Sequence, residues 1–115
     1  MPIDIAKIAA QLAGTLTGSL RTDSSKVKAL AKSEAEQLAA ALARIAGLLA
    51  AGEIDREEAE VLLRIQKDAS EAVLASLAEV SRVAAHRALS LGLRDVARIA
   101  GNVLGGTIKA ALLAG

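Results

Sequence analysis

No phenylalanine, tyrosine or tryptophan occurs among the 115 residues, and that absence restricts the fold more than any motif does. An ordinary core takes its bulk from aromatic rings. Here Leu, Ile, Val and closely approaching alanine faces must fill the interior. Alanine is also the strongest helix former, and the one proline is Pro2. The expected fold is all-α, a single domain over residues 1–115 in which a long antiparallel helix hairpin is flanked by shorter amphipathic end helices, a helical bundle. A chain of this length buries roughly two-thirds of its unfolded surface.

Apolar periodicity and punctuation place four helices at about 3–20, 25–51, 56–91 and 94–113. Ile5, Ile8, Ala9, Leu12, Leu16 and Leu20 share one face of the first, with Lys7, Gln11, Gly14 and Gly18 opposite. The second carries Val27, Leu30, Ala31, Leu38, Leu42, Ile45 and Leu49 on one arc. Between the second and third helices the segment Ala51-Gly52-Glu53-Ile54-Asp55-Arg56-Glu57-Glu58 contains every sign of a tight, capped reversal. Gly52 suits the left-handed position after a helix, and Ile54 packs back on the last turn. Asp55 and Glu58 have capping-box spacing. Acid at the start of the next helix favours the positive end of its dipole.

The bulkiest face of the third helix runs through Leu62, Ile65, Ala69, Val73, Leu77, Val80, Ala84, Ala88 and Leu91, which is the expected inner face. Lys67, Glu71, Glu79 and Arg82 then lie outside, and His86 is a solvated histidine near the helix end. Gly92 suits the end of that helix, Val96, Ile99, Ala100, Val103 and Leu104 form the inner face of the fourth, and Gly105-Gly106 loosens it. Glu34 and Arg87 are expected at the edges of their apolar arcs. The stretches from Asp4 to Gly14 and from Asp95 to Gly105 are similar, either because two helices share one amphipathic constraint or because both dock on equivalent surfaces of the hairpin. The pairs Gly14/Gly18 and Gly101/Gly105 mark either close helix approach or tolerated surface glycine, since this spacing is diagnostic only in membranes.

Composition excludes several function classes. Single-stranded nucleic-acid platforms and quaternary-ammonium cages need aromatic rings, and a net charge of +1 recruits neither DNA nor an anionic membrane. Residues 1–52 carry six basic and four acidic groups, 53–91 five and eight, and 92–115 three and one. No nucleic-acid partner is expected. Without cysteine, and with His86 as the one histidine, neither a metal site nor a nucleophile–base pair can be assembled. Glu57, Glu58 and Glu60 read as helix-start acids, since di-iron bundles require Glu-x-x-His pairs. Gly105-Gly106 lacks the Lys-Ser/Thr of a phosphate loop. The expectation is no catalysis and no cofactor. No signal-type leader and no apolar run long enough to span a membrane is read, leaving a soluble, cytoplasmic protein as the default.

Short end helices of roughly 25–30 Å would cover only the open half of the hairpin. The tip half, with Leu38, Leu42, Ile45, Leu48, Leu49, Val61, Leu62, Leu63 and Ile65, would then present an apolar surface to a second copy of the chain. The expected function is non-enzymatic self-assembly into a homo-oligomer. Attachment to a lipid surface through the amphipathic end helices is the alternative, and a partner helix in the tip groove is a third possibility.

Overall fold

The computed structural model describes residues 4–114, with Asn102, Val103 and Ala114 described by their backbone alone. The expected helix start at Ile3 and the side chain of Val103 therefore lie outside the described residues. Five helices follow in order: α1 (Ile5–Leu20), α2 (Ser25–Ala50), α3 (Arg56–Ala75), α4 (Arg82–Ile99) and α5 (Asn102–Ala114). No strand occurs among the described residues. The fold is an all-α helical bundle. Among the described residues no helix is long and apolar enough to cross a membrane.

The helix ends show why the segments start and stop where they do. Asp4, Ser24, Asp55 and Ser81 each turn a side-chain oxygen onto the backbone N–H three residues ahead, satisfying one of the donors a helix start leaves free. Asp55 accepts from Glu58 N at 2.8 Å while Asp55 N donates to Glu58 Oε1 at 3.0 Å, a reciprocal capping box. Immediately before it, Gly52 has φ +73. Gly52 N donates to Leu49 O and Glu53 N to Leu48 O, a Schellman closure of α2. Ile54 is partly buried against the core.

The expected third helix at 56–91 is two helices. Over 76–81 the backbone bonds shorten to three-residue reach, Ser76 N to Val73 O, Leu77 N to Leu74 O and Val80 N to Leu77 O, while Ser76 Oγ donates to Val73 O at 2.6 Å. Hydroxyls that bond locally compete with the helical ladder, and Ser81 then begins α4. The expected fourth helix at 94–113 is redrawn as well. Arg94 belongs to α4, and the chain reverses at Ala100-Gly101, where Gly101 has φ +85. Gly105-Gly106 lies inside α5 rather than breaking a helix.

These two reversals change the arrangement. α1 packs on α2 and α4, α2 on α3, and α3 on α4, closing a four-membered ring, with α5 laid against α3 and α4. The longest dimension is 42 Å, less than the roughly 50 Å of an unbroken third helix. Ile8, Leu12 and Leu16 of α1 meet Val27, Ala31 and Leu38 of α2 and Leu89, Leu93 and Val96 of α4 in one core. Without aromatic rings, this core depends on close backbone approach. Ala85 and Ala88 are fully buried, and a Cβ at Gly92 would lie 3.1 Å from Leu12 Cδ2. Gly92, expected to end a helix, instead makes room for α1 in the middle of one.

Gly105 does the same for α5, since a Cβ there would stand 2.7 Å from the carbonyl oxygen of Ala97. Gly14 and Gly18 meet nothing within 4 Å. The two related stretches also fold differently. Asp4 caps α1, which then continues past Gly14, whereas the stretch from Asp95 crosses the reversal at Gly101. Asp95 instead accepts a hydrogen bond from Thr15 Oγ1 at 2.9 Å, joining α4 to α1.

Candidate functional site

The side of α3 that faces the bundle is not its bulkiest. Ala59, Leu63, Lys67, Ser70, Glu71 and Leu74 point inward and are buried. Val61, Leu62, Ile65, Ala69, Ala72 and Val73 point outward, with Ile65 60% exposed. The expected inner face is thus the outer one over the length of α3. That inner face mixes Leu63 and Leu74 with the small Ala59 and Ser70 and the paired charges of Lys67 and Glu71, so periodicity of bulk alone does not pick it out.

This reversal divides the nine residues expected at an oligomer interface. Leu38, Leu42, Ile45 and Leu63 belong to the chain's own core and offer nothing to a partner, a correction caused by α1 and α3 packing on α2 and by α5 packing on α3. Leu48 and Leu49 are partly buried, and Val61, Leu62 and Ile65 remain exposed. The apolar faces of the end helices also turn inward, with Ile8, Leu12 and Leu16 of α1 and Leu104, Ile108 and Ala111 of α5 buried.

Three ionisable residues expected in solvent form a cluster instead. Lys67 and Glu71, one turn apart on α3, have side chains only 10% and 8% exposed. Glu71 Oε1 lies 2.6 Å from Lys67 Nζ and 2.6 Å from His86 Nδ1 of α4. An ionised carboxylate can only accept, so Nδ1 carries the imidazole proton and donates it to Oε1. The 3.1 Å approach of Lys67 Nζ to Nδ1 is then two donors converging on one acceptor. Burial disfavours the charged form of Glu71. The hydrogen bonds from Lys67 and His86, with the charges of both, more than offset it and hold the carboxyl below its ordinary value of 4.5. With Nδ1 committed, the rest of the half-exposed His86 ring is left at the cleft wall.

Glu34, expected at the edge of its arc, is buried, and Ser70 Oγ is buried with no hydrogen-bond partner. Arg87 is exposed.

Above the cluster opens a cleft of about 670 Å³ between α3, α4 and the end of α5. Arg64, Lys67 and Asp68 line it from α3, His86, Arg87 and Arg94 from α4, and Ala111 and Leu112 from α5. Four residues that are always or ordinarily cationic thus face one lining acid and the buried Glu71. In sequence these groups are spread over 64–94, and only the break at 76–81, which folds α4 back along α3, brings them together. The one sequence signal for this was the pair Ser76 and Ser81, which carries no glycine or proline to reinforce it.

No family model, curated protein or solved structure matches the chain.

Proposed function

We propose that the protein is a non-enzymatic self-associating module whose second copy docks on the outer face of α3. The observation that carries this reading is that Val61, Leu62, Ile65, Ala69, Ala72 and Val73 form an exposed apolar strip on the side of α3 turned away from the bundle. An exposed strip of that kind marks an interaction surface. Leu62, Ile65, Ala69 and Ala72 alternate by three and four residues, the spacing of a two-helix seam. In an antiparallel pair the seam complements itself. Ile65 meets the small Ala69 of the other copy, Leu62 meets Ala72, and Val61 meets Val73, twice over by two-fold symmetry.

The size of the strip sets the strength. α3 offers about 30 Å by 10 Å, or about 300 Å² on each copy, which totals about 600 Å² and falls below the roughly 1,000 Å² of a stable specific interface. Association should therefore be weak and reversible, in the micromolar range or above. Sedimentation equilibrium from micromolar to millimolar concentration tests it. The wild type should show a concentration-dependent dimer, and Ile65→Asp should be monomeric with unchanged helicity, because Ile65 makes its exposure at no cost to the core. A wild type that stays monomeric at millimolar concentration refutes the proposal, as does an Ile65→Asp variant that associates equally well.

A further inference from the structure

We propose that the cleft between α3, α4 and α5 binds a small amphiphilic anion, a carboxylate or phosphate head on a short aliphatic chain, independently of the α3 outer face. The electrostatics favour an anion. Arg87 and Arg94 stand two turns apart on the same wall of α4, and Lys67 forms part of the floor. The lining sets one carboxylate, Asp68, against Arg64, Lys67, Arg87 and Arg94, and Glu71 beside it is already taken by two donors on one oxygen. Lys67 has further N–H protons beyond the one given to Glu71, and the imidazole of His86 has a second nitrogen. Arg64, which also lines the cleft, keeps a buried Nε with no partner.

The second half of the ligand follows from the rest of the wall. Val83 is 67% exposed and Leu91 37% exposed, both at the cleft. Ala111 and Leu112 of α5 close the far side. An inorganic anion would leave these side chains in water, whereas an aliphatic chain would cover them. The volume, about 670 Å³, lies within the usual range for small-molecule sites. A lining with four cations to one acid, next to exposed apolar side chains, suits a head group and a tail.

Calorimetric titration of the full chain with decanoate and with decyl phosphate, each below the concentration at which it self-associates, tests the proposal. The His86 ring resonances should be followed in parallel by NMR. Saturable one-site binding of either amphiphile, with shifts in the His86 resonances, supports it. Decanol and inorganic phosphate should each bind at least about tenfold more weakly. Arg87→Gln with Arg94→Gln should weaken the amphiphile at least about tenfold without lowering the melting temperature, since Arg87 and Arg94 are both exposed. No saturable binding, equal binding of decanol, equal binding of inorganic phosphate, or an unaffected double variant would each overturn it. The Ile65→Asp monomer should bind as the wild type does, so failure here and failure of the dimer proposal are separately visible.

Discussion

Replacing Glu71 with glutamine keeps the shape of the side chain and removes the charge that holds Lys67 in place. The magnitude follows from the burial of the pair. Stripping one partner from a fully buried ion pair costs about 3–5 kcal/mol, because the other charge is left uncompensated. Lys67 and Glu71 are nearly but not fully enclosed, at 10% and 8% exposure, and the cleft admits water beside them. A loss of about 2–3 kcal/mol is therefore expected, lowering the midpoint of a chain this size by about 10 °C. Circular dichroism in the far ultraviolet is the assay, since the chain has no tryptophan or tyrosine to report by fluorescence.

The pH dependence adds a second, independent measure. Glu71 titrates below its ordinary 4.5 in the folded chain. Its contribution is therefore fully present above that value and is lost as pH falls through the folded pKa. The gap between wild type and Glu71→Gln should close as the solution is acidified below about 4.5. Lys67→Met combined with Glu71→Leu removes both charges and should come within about 1 kcal/mol of the wild type or exceed it. A Glu71→Gln loss under about 0.5 kcal/mol, within the reach of an exposed pair, or a double variant as damaged as the single one, would refute the reasoning.

Two further substitutions follow from the packing. Gly14→Ala should stabilise by about 1 kcal/mol by helix propensity alone, since a Cβ there meets nothing within 4 Å. Gly105→Ala should destabilise by about 1–2 kcal/mol despite the same gain, because overpacking costs more where the obstacle cannot turn aside, and that obstacle is the Ala97 carbonyl at 2.7 Å. Urea titration of the two variants checks the contrast. Ser70→Ala should raise stability by about 1 kcal/mol, removing a buried hydroxyl without a partner and improving helix propensity, and a thermal melt reads it directly.

What could be read in advance was local. The hairpin turn at Gly52 to Glu58 depends on residues within a few positions of one another, and so do the caps at Ser24 and Asp55. The inner arc of α2 could be read as well, since Val27, Ala31, Leu38, Leu42 and Ile45 recur at helical spacing and all are buried. The inner face of α3 could not, because Lys67, Ser70 and Glu71 are inside with Leu63 and Leu74 while Leu62 and Ile65 are outside despite their bulk. A hydrophobicity pattern ranks those two faces in the wrong order. The charge cluster was hidden for a different reason. Glu71 and His86 would both sit on the outside of one long helix, and only the serine-marked break at 76–81 turns one towards the other. At the second reversal the sequence pointed to Gly105-Gly106, whereas the chain turns at Gly101 and Gly105 lies inside α5 against the Ala97 carbonyl.

The bond from Thr15 to Asp95 spans 80 positions, and it joins the first and fourth members of the ring. During synthesis α1 is the first of these helices to leave the ribosome, yet one of its two supporting surfaces is made only when α4 appears. Until then Leu12 and Leu16 have α2 on one side and water on the other. A nascent chain halted before residue 82 would thus expose this seam to chaperones, and release of the last third of the chain would be the step that conceals it. Closure between such distant segments also pays its loop entropy before any contact rewards it. The order in which the helices are made therefore runs against the order in which the first of them can be completed.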